Sequence, residues 1–234
     1  MENIKFKTVV LQGIIDGYTE DLNSVRQNYD LETFSSKYTL ARDLANSNIK
    51  KSLDNSRYEF PKFKRGAHEF ILIYDKYDKV LYSIMKEETF NGLRKSQNGK
   101  KIHYLEALGI INYGKMPVQS QATFIGYEDE CRIKNAEQLL GKMLSDDILE
   151  EVEVHNLICF NIKNSEMKSA RSIQLDLNLD IVGIESWNDC IPVGYDKNNI
   201  GVSDIDLDII DDECAEEIPI EISIKGTDIQ KSVK

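Results

Sequence analysis

Hydrophobic positions in the first fifty residues recur with a helical period. Val10, Leu11, Ile14 and Ile15 share one helix face, against a local strand reading of Ile4, Phe6 and Thr8. Gly13 and Gly17 fit a helix ending near residue 17. Thr19 then offers an N-cap before Glu20 and Asp21, acids suited to a first turn. Residues 28–36 read as a loop. Leu40, Ala41, Leu44, Ala45, Ile49 and Leu53 form the stripe of another helix from about Thr39, closed by Asp54-Asn55-Ser56.

The pattern then changes period. Phe70 to Tyr74 is one apolar run and Val80 to Met85 a second, joined by polar residues 75–79, which predicts two strands around a turn. Their near-continuous apolarity predicts strands covered on both faces and central in a sheet. A short helix follows over Glu87–Lys95 with Phe90 and Leu93 inward, then a turn at 96–99 and a helix over 102–111. Residues 118–125 suit a strand. Ile133, Ala136, Leu139, Leu140, Met143 and Leu144 define the buried side of the clearest helix, capped by Asp129. Strands follow over 152–162, 172–177 and 181–185. Ile218, Ile220, Ile222 and Ile224 alternate with polar neighbours, predicting an edge strand over 218–224. No repeat of fixed period occurs. The expectation is an α+β fold, N-terminally helical, with helices packed on a mainly antiparallel sheet. One domain is expected over 1–200, with an acidic extension over 201–234.

Composition places the chain among globular proteins: 234 residues, 41% hydrophobic and 29% charged, with four prolines. No stretch reaches the roughly 18 apolar residues of a membrane span, and MENIKFKTVV lacks a signal core, so a cytoplasmic protein with no membrane association is expected. Cys131, Cys159, Cys190 and Cys214 are widely spaced with no C-x-x-C pair, as expected of reduced thiols without zinc. The net charge of −11 hides a gradient. Residues 1–126 hold 19 Lys and Arg against 15 Asp and Glu; residues 127–234 hold 10 against 25. The extreme is 204–217, with Asp204, Asp206, Asp208, Asp211, Asp212, Glu213, Glu216 and Glu217 and no base. Charge segregation of this size bears on steering and partner choice rather than fold.

The residues that could carry chemistry are few. Phosphate-loop, dinucleotide, H-E-x-x-H and G-x-S-x-G patterns are absent. His68 beside Glu69 could serve as a base, but a surface histidine at a strand end is the simpler reading. Glu166-Met167-Lys168, read as a turn, is the one E-x-K, with Asp146, Asp147, Glu150 and Glu151 before it; this is a partial match to a metal-dependent nuclease. Asp204, Asp206 and Asp208 would share a strand face, yet lack the glycine and final glutamate of a calcium loop. The stretch 57–66 interleaves Tyr58, Phe60 and Phe63 with Arg57, Lys62, Lys64 and Arg65, so its rings could stack on bases while its cations hold phosphates. The alternative is an edge strand with aromatics inward and lysines guarding the edge. No cofactor and no metal are expected.

The segment FILIYDKYDKVLYSIMKEETFNGLRK followed by HYLEAL, with ICFNI, SIQLDL and IESW later, resembles uncharacterised proteins of low-GC Gram-positive bacteria and their phages. The resemblance extends over roughly residues 1–190. It implies a phage or mobile-element setting, where small acidic proteins act by binding other proteins, and it carries no catalytic residues. The expected function is therefore a non-catalytic interaction protein, an accessory or inhibitor that binds a protein partner through charge-segregated surfaces. A nucleic-acid-binding protein or metal-dependent nuclease using 57–66 is the alternative, and a homo-oligomer held by the basic and acidic regions is a third.

Overall fold

A computed structural model describes residues 2–29, 32–66, 68–95, 102–112 and 127–192. Two long helices come first, α1 (Glu2–Tyr18) and α3 (Lys37–Ser52), with α2 (Glu20–Tyr29) between them. Thr19 divides α1 from α2; its hydroxyl donates to the Ile15 carbonyl, and its own carbonyl accepts the Asn23 N–H. α1 ends at Tyr18, near the residue 17 expected from Gly13 and Gly17, and these glycines have a packing role as well. They are the contact points at which α1 crosses α3, and a Cβ on Gly17 would stand 2.3 Å from the Ala45 nitrogen.

A six-stranded sheet forms the middle layer. Its strands are β1 (Tyr58–Glu59), β4 (Ile73–Asp75), β5 (Val80–Lys86), β6 (Val154–Lys163), β7 (Glu166–Leu175) and β8 (Ile181–Ser186), hydrogen-bonded in that order. Neighbours are antiparallel except β5 and β6, which are parallel. The crossover between that pair carries α4 (Glu87–Lys95), α5 (Tyr104–Gly109), α6 (Tyr127–Met143) and α7 (Asp146–Glu151). A two-stranded hairpin, β2 (Lys62–Arg65) with β3 (His68–Ile71), lies outside the sheet. The fold is α+β with a mainly antiparallel sheet, as the hydrophobic pattern predicts.

Alternation along the central strands explains the two cores. Leu81, Met85, Leu157, Cys159, Ile173 and Leu175 face α4–α7. Ile73, Ile158, Phe160, Met167 and Ala170 face α1 and α3, joined by Phe6, Ile14, Ile49 and Trp187. A strand that buries both faces reads as a largely apolar run, as 157–160 of β6 and most of β5 do, with Ser83 and His155 as buried polar exceptions.

The structure corrects several boundaries. The Phe70–Tyr74 run is not one strand: the Leu72 N–H bonds the Pro61 carbonyl, and the chain passes there from β3 to β4. β7 begins at Glu166 rather than Ser172, because Asn164 and Ser165 both take positive φ and close a two-residue hairpin turn. Glu166-Met167-Lys168 therefore opens a strand. α6 starts at Tyr127, so Asp129 lies within it, and α7 precedes β6 where no helix is expected. The strands read at 118–125 and 218–224, and the acidic run 204–217, lie outside the described residues.

Candidate functional site

The basic-aromatic stretch separates by strand geometry into an inner and an outer set. Tyr58 and Phe63 are buried. The Tyr58 ring stacks on Phe6 at 5.3 Å, and Phe63 stacks on Phe70 at 5.2 Å and packs against Tyr104. Those faces, read from sequence as able to stack on bases, are occupied by the protein's own rings. Phe60 is half-buried with the Lys50 ammonium above it. Arg57 is turned inward: its Nε donates to both Asp75 oxygens at 3.0 Å and its Nη2 to Asp75 Oδ2 and Asp78 Oδ2 at 2.7 Å. The hydrogen bonds to Asp75 outweigh the burial penalty and hold the guanidinium firmly charged. Lys62, Lys64 and Arg65 are exposed, with Lys62 3.5 Å from Glu69. This is the arrangement of aromatics inward and cations outward.

The other sequence candidates stay apart. His68 is exposed at the start of β3, opposite Arg65. Lys168 donates to Glu166 Oε2 at 2.6 Å on the surface, a local pair at the beginning of β7. Asp146, Asp147, Glu150 and Glu151 are exposed on α7, and Glu151 accepts from the Tyr74 hydroxyl at 3.2 Å. Among the described residues, no three His, Cys, Asp or Glu side chains are grouped as a metal site needs. The acids from Asp204 to Glu217 lie outside the described residues.

Sequence reasoning missed a buried polar pair. Ser83 Oγ and His155 Nε2 lie 2.9 Å apart between β5 and β6, and both side chains are buried. Burial pushes the His155 imidazole down to about 3, so it is neutral at physiological pH. Asn112 locks the same spot: its amide donates to the His155 and Leu175 carbonyls and its oxygen accepts the His155 N–H, each at 2.9 Å. A serine beside a neutral histidine resembles a catalytic pair, but a substrate cannot reach it. The pair ties the parallel strands together.

Sequence reasoning found β8 but not its position. It is the outermost strand, hydrogen-bonded to β7, and among the described residues nothing pairs with its outer side. Ile184 stands opposite Ile173 and is 62% exposed; Val182 is 45% exposed. Natural sheet edges are guarded by Lys, Pro or shortness. The opposite edge, β1, is two residues long, while β8 has six residues with no Lys, Arg or Pro. The end of β8 is anchored. Trp187 is buried, its backbone N–H bonds the Ala170 carbonyl, and its indole donates to Glu185 at 3.0 Å. Lys7 reaches across from α1 to Glu185 at 2.6 Å. Partial burial opposes the Glu185 charge, but these two donors outweigh it and hold the carboxyl below its usual range. Asp180 and Asp189 add exposed acids at the two ends of the strand.

No helix among the described residues is long and apolar enough to cross a membrane. No curated protein and no solved structure matches the chain. A family model does match, over residues 2–232, so the shared sequence runs past the roughly 190 residues of the resemblance and takes in the acidic run. The chain belongs to that family, DUF5986, a family of unknown function.

Proposed function

We propose that this protein is a non-catalytic interaction protein of the cytoplasm, and that its partner adds an extended segment to the outer edge of β8. The observation that carries this reading is the anchored edge, unpaired on its outer side among the described residues, with Val182 and Ile184 exposed. Strand addition draws affinity from main-chain hydrogen bonds and specificity from alternate side chains. An edge already held by Trp187, Glu185 and Lys7 has less ordering entropy to lose on binding. The partner segment carries branched apolar residues at alternate positions and Lys or Arg at its ends, to meet Asp189 and Asp180, the latter also 3.6 Å from Arg94. A second copy of the chain fits less well, because a net charge of −11 repels itself. An accessory or inhibitor role in a phage–host or mobile-element setting accords with a small acidic protein that works by binding others.

A labelled peptide, Lys-Lys-Val-Thr-Ile-Thr-Val-Lys-Lys, tests the reading with the full chain by fluorescence anisotropy at low salt. Binding is expected, with affinity at least about tenfold weaker for a twin with Pro at its centre and for Ile184→Lys. Ile184 is exposed, so the variant should keep the wild-type circular dichroism and melting temperature. No binding, or equal binding by Ile184→Lys, overturns the reading. A self-association that Ile184→Lys abolishes replaces the basic partner with a second copy. Single-stranded DNA binding lost on Lys62/Lys64/Arg65→Ala, with no peptide binding, favours the nucleic-acid alternative.

A further inference from the structure

Natural proteins cover, charge or shorten the exposed edges of their sheets. β8 has one such device. The register shifts between Gln174 and Leu175, which pair with Gly183 and Ile181 and leave Val182 as the extra residue of a bulge. Past the bulge, residues 183–186 run in regular register with 171–174. The outer side of this run is unpaired among the described residues, and Ile184 within it is 62% exposed.

One stretch of the same chain has the pattern that such an edge accepts. Ile218, Ile220, Ile222 and Ile224 alternate with Pro219, Glu221 and Ser223, and Lys225 follows. These residues lie outside the described ones. Alternation gives an extended segment one apolar and one polar face, so beside β8 the isoleucines would continue the face that carries Ile184. The described chain reaches residue 192, six past the end of β8, and 25 residues connect it to Ile218. A connection of that length spans up to about 80 Å, against about 20 Å for a six-residue strand, so the segment can reach the edge of its own molecule. The family match runs to residue 232 and takes in the segment together with the sheet.

Pro219 fixes how the segment can pair. Proline is tolerated in an edge strand where its missing N–H would face solvent. Backbone N–H groups alternate in direction along a strand. With Pro219 turned outward, the N–H groups of Ile220, Ile222 and Ile224 face β8 and that of Ser223 faces away. Pro219 then guards the new outer edge.

We propose that residues 218–224 pair with the outer edge of β8 in the same molecule and hold it until a partner displaces them. This rests on β8 being a strand-accepting edge, as proposed above, and adds its regulation. Tethering gives the segment an effective concentration of about millimolar. Its hold is weakened by charge, because Glu216 and Glu217 lead into it and exposed Asp189 lies past the end of β8. A partner strand with basic ends has no such handicap and takes the edge.

Hydrogen–deuterium exchange of the free full chain tests this, comparing wild type with Ile222→Pro and Ser223→Pro. Amides within Ile181–Ser186 should exchange at least about threefold faster in Ile222→Pro than in wild type, with Ser223→Pro close to wild type. Exchange in β5 and β6 should be the same in all three proteins, which separates an opened edge from a loss of fold. The basic strand peptide should bind Ile222→Pro at least about threefold more tightly than wild type. Protection that survives about tenfold dilution supports pairing within one molecule, and protection lost on dilution assigns the strand to a second copy and overturns the proposal. Equal exchange in wild type and Ile222→Pro, or equal opening by Ser223→Pro, also overturns it; peptide binding alongside either result leaves strand addition by a partner standing. Peptide binding to neither protein, with faster β8 exchange in Ile222→Pro, supports the self-pairing and rejects the partner.

Discussion

His155 shows how one side chain can be decisive for stability while remaining silent in sequence. Its imidazole is buried between β5 and β6 and held neutral, with Ser83 Oγ at 2.9 Å. In the unfolded chain the same group titrates near 6.5, so the folded state binds fewer protons as the medium turns acidic. The stability it contributes is complete above about pH 6.5 and is lost as the pH falls toward about 3, at roughly 1.4 kcal/mol per pH unit. His155→Gln removes that titration. Urea unfolding at pH 7, 5.5 and 4.5 should show the wild type losing more stability per pH unit than the variant, by about this amount; equal slopes would count against a buried neutral imidazole. Nothing in the local sequence marks His155, because its partners Ser83 and Asn112 are far away along the chain. The 57–66 stretch was legible in outline. The alternation of Tyr58 and Phe63 with charged neighbours leads to aromatics inward, but the inward turn of Arg57 depends on Asp75 and Asp78 across a strand pair.

Between α1 and α3 the determining residues are the smallest ones. Gly13 and Gly17 lie four apart on α1, and α3 presents Ala45 and Ile49 to them. A methyl group on Gly17 would meet Ala45 backbone at 2.3 Å, so Gly17→Ala should force the helices apart and cost about 1–3 kcal/mol. Gly92 in α4 faces open space, so Gly92→Ala should stabilise by about 0.5–1 kcal/mol. Thermal melts of both variants, followed by circular dichroism, check the pair; a neutral Gly17→Ala would contradict the close crossing. Local pattern was sufficient for α4, whose boundaries and inward Phe90 and Leu93 are as predicted. It failed where the deciding contact is distant. The glycines mark the end of α1 correctly, but their second role, at the crossing with α3, is invisible from α1 alone. The Phe70–Tyr74 run read as one strand because Leu72 is apolar on either side of the break. Nor does any local signal pair β5 with β6, which meet only after the α4–α7 crossover.

Charge and topology converge on the C-terminal side of the protein. The excess of bases lies in residues 1–126, while the acids accumulate beyond it. β8 was predicted as a strand, but its place as the open edge follows from the order of all six strands. That place makes the exposure of Val182 and Ile184 a functional observation rather than a scatter of surface hydrophobics. The central claim is that a partner extends the sheet there, and hydrogen–deuterium exchange with and without the basic strand peptide tests it most directly. The account predicts slowed exchange of backbone amides within Ile181–Ser186, with no comparable slowing in β1 or in the β2–β3 hairpin. Peptide binding that leaves the amides of β8 unchanged, or that protects the hairpin instead, would contradict it.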